Sequence, residues 1–74
     1  MEKKYLICIE KAEGSNYSAY VPDLPGCIAC GDSLAETRCL IAEAIDLHIR
    51  GMIEDNEPIP DPTTQSDYIT VHAA

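Results

Sequence analysis

Two prolines three positions apart, Pro22 and Pro25, with Gly26 directly after them, constrain this chain more than any other feature. Each proline removes a backbone donor and fixes a φ angle, while Gly26 is free to take the positive φ that other residues avoid. Pro22-Asp23-Leu24-Pro25-Gly26 is therefore a stiff corner, and what lies on its two sides must be separate elements. Before it, Tyr5-Leu6-Ile7-Cys8-Ile9 is rich in β-branched and aromatic residues, and Tyr17-Ser18-Ala19-Tyr20-Val21 alternates at a period of two. The turn cluster Ala12-Glu13-Gly14-Ser15-Asn16 is too short for a parallel crossover, so these two strands form an antiparallel hairpin. The corner then delivers the chain to Cys27-Ile28-Ala29-Cys30, a short third strand expected to pair antiparallel in the same sheet.

Gly31-Asp32-Ser33 ends that strand. Ser33 with Glu36 matches a capping box, in which the serine oxygen accepts the amide of Glu36 and the glutamate reaches back to the amide of Ser33. A helix is predicted from Leu34 to roughly Glu54, with Asn56 as a left-handed stop and with Pro58 and Pro60 barring continuation. Glu36, Glu43, Asp46, Arg50 and Glu54 fall on one narrow stripe of this helix, and Leu34, Ile41, Ala44, Ile45, His48 and Met52 form the opposite face, which must cover the sheet. Leu40 and Leu47 lie on one flank, and Ala42, Ile49 and Ile53 on the other. The apolar arc is wider than a two-layer domain requires. A homo-oligomer is expected, with Leu40, Leu47, Ile49 and Ile53 at its interface, although residues 57–67 can shield part of the flanks. A polyproline-like connector, Pro58-Ile59-Pro60-Asp61-Pro62, leads into Tyr68-Ile69-Thr70-Val71, which reads as a closing fourth strand. The fold class is α+β, in the order β-β-β-α-β.

With 74 residues the chain has room for one domain, and at that size the apolar area buried on folding barely offsets the lost conformational entropy. Small domains of this kind recruit disulfides, a metal or a second subunit. Lys and Arg number 5 against 13 Asp and Glu, a net charge of −8 that repels a phosphate backbone and disfavours direct nucleic-acid binding. The apolar run from Tyr5 to Ile9 is too short for a signal-peptide core or a membrane span, so a cytoplasmic protein with no membrane partner is expected. In that compartment Cys8, Cys27, Cys30 and Cys39 stay reduced and serve as small hydrophobes.

No catalytic constellation emerges. Cys27-x-x-Cys30 has the spacing of half a zinc site or a redox pair, but residues three apart on an extended strand point to opposite faces and no second pair exists. His48 lies in the apolar helix face and reads as a packed core histidine, and His72 sits near the C-terminus. Asp23 and Asp32 are loop carboxylates whose turn and helix-approach roles need no chemistry. The chain is expected to be no enzyme and to need neither a cofactor nor a metal.

Taken in order, Tyr20-Val21-Pro22-Asp23-Leu24-Pro25-Gly26-Cys27, Gly31-Asp32-Ser33, Glu43-Ala44-Ile45, Leu47-His48 and Pro58-Ile59-Pro60-Asp61-Pro62 resemble the HicB family of antitoxins. The resemblance covers about residues 5–72, with the D-L-P-G-C corner and the following G-D-S its most diagnostic part. It implies a partial ribonuclease-H-like fold of three antiparallel strands, a helix and a further strand. It also implies a function: binding and neutralising HicA, a small basic toxin that cleaves messenger RNA. The resemblance does not identify the toxin-binding residues. Early in the helix the family commonly has a second carboxylate and an alanine where this chain has Ala35 and Thr37. Many members also carry a C-terminal helix-turn-helix or ribbon-helix-helix DNA-binding domain; residues 1–74 read as a single HicB-like domain without one. The alternatives are an orphan oligomeric domain of the same fold that binds another protein or a small molecule, and a metal- or thiol-dependent enzyme.

Overall fold

A computed structural model of the protein describes residues 2–73. Its elements follow one another as β1 (Cys8–Lys11), β2 (Tyr17–Tyr20), β3 (Ile28–Gly31) and α1 (Leu34–Glu54). The three strands form one antiparallel sheet in the order β1-β2-β3. The hairpin turn is closed by the Ser15 amide donating to the Ala12 carbonyl at 3.0 Å, with Gly14 at φ 71°. In register, Ile9, Ala19 and Ala29 form a row on the face toward the helix, whereas Cys8, Tyr20 and Ile28 form the next row on the outer face. Helix α1 lies mainly over β3 and β2, which makes two layers. Ala19, Val21, Leu24, Cys27 and Ile41 are buried between them, and Tyr5, Ile7, Ile9, Ala44, Ile45 and Ile49 pack partly buried around that core.

Both helix ends are set by local chemistry. The Ser33 half of the capping box is made: its hydroxyl accepts the Glu36 amide at 3.1 Å, from an extended backbone conformation. At the other end Asn56 is left-handed, with φ 56°, and its amide donates to the Ile53 carbonyl while the Glu57 amide donates to that of Met52. This is a Schellman stop. Between these ends the helix rests unusually close to the sheet at one point. Thr37 is buried, its hydroxyl donates to the Ser33 carbonyl at 2.7 Å, and Gly31 sits directly beneath it. A Cβ on Gly31 would stand 2.7 Å from Thr37 Oγ1 and 3.0 Å from the Thr37 amide nitrogen, so this contact requires glycine.

The C-terminal segment departs from the expected β-β-β-α-β order. Tyr68-Ile69-Thr70-Val71 is not a paired strand in the single chain, and Tyr68, Ile69 and Val71 are 96%, 83% and 81% exposed. β-Branched composition favours a strand only where a neighbour satisfies the backbone, and this segment has no such neighbour among the described residues. The flanks of α1 divide as well. Leu47 and Ile53 are 68% and 59% exposed, Leu40 is half-buried, and Ile49 packs against the chain's own core.

Candidate functional site

The corner between β2 and β3 consists of two turns in succession. The Leu24 amide donates to the Val21 carbonyl at 3.0 Å and the Cys27 amide to the Leu24 carbonyl at 3.1 Å, so each proline occupies the second position of its turn. Gly26, at φ 84°, takes the left-handed third position that the second turn demands. The Val21 amide closes the loop on the Cys27 carbonyl at 3.3 Å. Held this way, Leu24 drops completely into the core, while Pro25 and Gly26 stay exposed.

Asp23 faces the other way and holds the C-terminal segment. Its carboxylate accepts the Thr63 and Thr64 amides at 3.2 and 3.1 Å and their hydroxyls at 3.0 and 2.9 Å. The Thr64 amide above all, aided by both hydroxyls and the Thr63 amide, keeps this carboxyl below the usual carboxylate range. With both oxygens engaged in this latch, Asp23 serves as an anchor for the chain, not as a free base. Two further contacts fasten the same stretch to the N-terminal segment: the Tyr5 hydroxyl donates to the Pro60 carbonyl at 2.6 Å, and Lys3 pairs with Asp61.

Beside these contacts a groove of about 410 Å³ opens between the N-terminal segment and α1. Tyr5, Ala42, Ile45, Ile49, Ile53 and Ile59 line it, with Lys3 and Asp46 supplying one charge of each sign. Of the residues expected at an oligomer interface, it gathers Ile49 and Ile53; Leu40 and Leu47 do not line it. The helix stripe of Glu36, Glu43, Asp46, Arg50 and Glu54 is exposed, with Arg50 and Asp46 paired at 3.1 Å.

The remaining titratable groups are dispersed. Cys27 is buried, and burial pushes its thiol up, whereas Cys30 is exposed. His48 is half-buried in the helix and His72 is exposed. Among the described residues no three His, Cys, Asp or Glu side chains cluster in a way that would hold a metal ion. Among the described residues no helix is long and apolar enough to cross a membrane. The latch is the feature that sequence reasoning missed. Its only signal is Thr63-Thr64 directly after the proline-rich connector, a pair of adjacent donors whose carboxylate partner lies far away in sequence.

The arrangement has counterparts. The HicB_like antitoxins of bacterial toxin-antitoxin systems, as a family, match residues 5–72. An uncharacterised 14.9 kDa protein from the rep-hol intergenic region of Haemophilus phage HP1 is 46% identical over 65 residues. That match takes in 88% of this chain but 48% of the phage protein, so the chain spans about half the length of this relative. A UPF0150 protein of Archaeoglobus fulgidus is 41% identical over 56 residues, covering 73% of this chain and 81% of its own. Among solved structures, a chain of a HicA3 and HicB3 toxin-antitoxin complex is similar with a TM-score of 0.69 and 30% identity. The likeness covers 82% of this chain and 70% of that one.

Proposed function

This chain belongs to the HicB-like antitoxin family, and on that premise we propose that it binds a small basic HicA-type toxin that cleaves messenger RNA and neutralises it by occlusion. The observation that carries this reading is the family match over residues 5–72, which spans the corner, the capped helix and the latched segment together. The likeness to a chain of a toxin-antitoxin complex supports the class of partner. Charge supports it as well: with 13 acidic against 5 basic side chains, and an exposed acidic stripe along α1, the protein attracts a basic ribonuclease and repels the RNA that the ribonuclease acts on. The finer parts of the reading go with it. The protein acts in the cytoplasm as a homo-oligomer without contacting nucleic acid itself, it catalyses nothing, and its fold is a partial ribonuclease-H-like one whose last strand forms on association.

Co-expression with a small basic HicA-type toxin encoded beside its gene tests the proposal, and the absence of any such neighbour would count against it. The two proteins should co-purify, and growth arrested by the small protein alone should resume. Absence of both complex and rescue would overturn the reading.

A further inference from the structure

One face of α1 has no partner in the single chain, and its residues belong together. Glu36, Leu40, Glu43, Leu47, Arg50 and Glu54 recur at alternating spacings of four and three, which sets them in one seam. At the rise of an α-helix the seam is about 27 Å long. It points away from the sheet: Leu47 is 68% exposed, Leu40 is half-buried, and the four charged residues are exposed. Such spacing lets one helix pack along another, with the apolar residues as knobs. Here the knobs are Leu40 and Leu47, and carboxylates surround them. Arg50 is turned to Asp46 at 3.1 Å, so its charge is offset within the chain. Glu36, Glu43 and Glu54 have no ion-pair partner among the described residues.

Gly51 borders the seam. A glycine inside a helix weakens it relative to alanine, and nothing in this chain requires one here, since an added Cβ would meet no atom within 4 Å. The position leaves room for the close approach of another helix. We propose that this seam is the toxin-facing surface and receives a basic amphipathic helix of the HicA-type toxin, apolar residues meeting Leu40 and Leu47 and lysines or arginines meeting Glu36, Glu43 and Glu54. The inference rests on the toxin-binding reading above and adds the surface and the kind of element that covers it. A second copy of the chain does not suit the seam. Antiparallel pairing would set Glu36 against Glu54 and Glu43 against Leu47, and parallel pairing would set each glutamate against itself. This moves Leu40 and Leu47 from the expected contact between copies to the contact with the toxin. Other surfaces match a basic partner less well: the groove beside the N-terminal segment has one charge of each sign, and the outer rows of the sheet carry one acid, Glu10.

The test measures binding of the purified HicA-type toxin to the full chain and to four variants of it. L47D should weaken the Kd by at least about thirtyfold, as loss of a central apolar anchor does. E43K should slow association and flatten its salt dependence. G51L, for which the single chain has room, should keep its far-ultraviolet circular dichroism and bind about tenfold more weakly through overpacking at the contact. I28D makes the same kind of change on the outer face of the sheet, where Ile28 is also 68% exposed, and should leave the Kd within about twofold. If L47D does not fold, E43K and G51L decide the question. A parent chain that binds no toxin would overturn the toxin reading and this inference together. A parent that binds, with L47D and E43K binding equally well or with I28D losing affinity in their place, would overturn this inference alone. So would a lower molar mass of L47D than of the parent by light scattering, which would assign the seam to contacts between copies.

Discussion

At Asp23 a single carboxylate carries two jobs that local chemistry would assign to different residues. It occupies the third position of the first corner turn, and it receives four hydrogen bonds from Thr63 and Thr64 on the far side of the chain. Because those donors stabilise the charged form, the folded pKa lies below the unfolded value. The latch is therefore fully present above the ordinary carboxylate range and is lost as pH falls through the lower, folded pKa. Titration followed by nuclear magnetic resonance should show Asp23 protonating below about 3.9, the usual aspartate value, and the Thr64 amide resonance moving with it. An ordinary Asp23 pKa with a Thr64 amide that does not respond would contradict the latch. Replacing Asp23 by alanine should free residues 63 and 64 to exchange while leaving the Leu24-centred core in place.

At the scale of elements, the tightest constraint is the crossing of α1 over the end of β3. Gly31 has no room for a methyl group beneath Thr37, and the atoms in the way include backbone. Replacing Gly31 by alanine should lift the helix start and cost about 1–3 kcal/mol, as overpacking does elsewhere. Thermal unfolding at fixed protein concentration measures this, and an unchanged midpoint would refute the close contact. The elements differ in how legible they are in the sequence. The span of α1 is readable because its start and stop are written locally, by Ser33 at one end and Asn56 at the other. The corner is readable for the same reason, since prolines and glycine specify turns without help from distant residues. Strand ends are less so: β1 begins at Cys8 and not at Tyr5, because pairing, which composition does not encode, ends where Val21 enters the corner. The fourth strand is not seen for a stronger reason, as Tyr68–Val71 lies against no strand among the described residues and β-branched composition alone does not make a ladder. The latch is hidden for a related one: Thr63 lies 40 positions from Asp23, and neither period nor propensity links them.

For the molecule as a whole, the small core, the projecting arm and the excess of acidic side chains describe a protein whose surfaces are made to be covered. The outer row of the sheet, the flanks of α1 and the arm all leave apolar groups in solvent, and its helix carries a stripe of mostly negative charge. Such a field speeds encounter with a basic partner and weakens as salt screens it. In the proposed antitoxin the acidic surface steers toward the toxin. Neutralisation is the central claim, and inhibition of purified toxin tests it most directly. When this protein is titrated into the proposed HicA-type toxin with messenger RNA as substrate, cleavage should fall linearly to a stoichiometric end point, and the association rate should drop as salt is raised. Cleavage that continues undiminished at excess antitoxin would contradict the account.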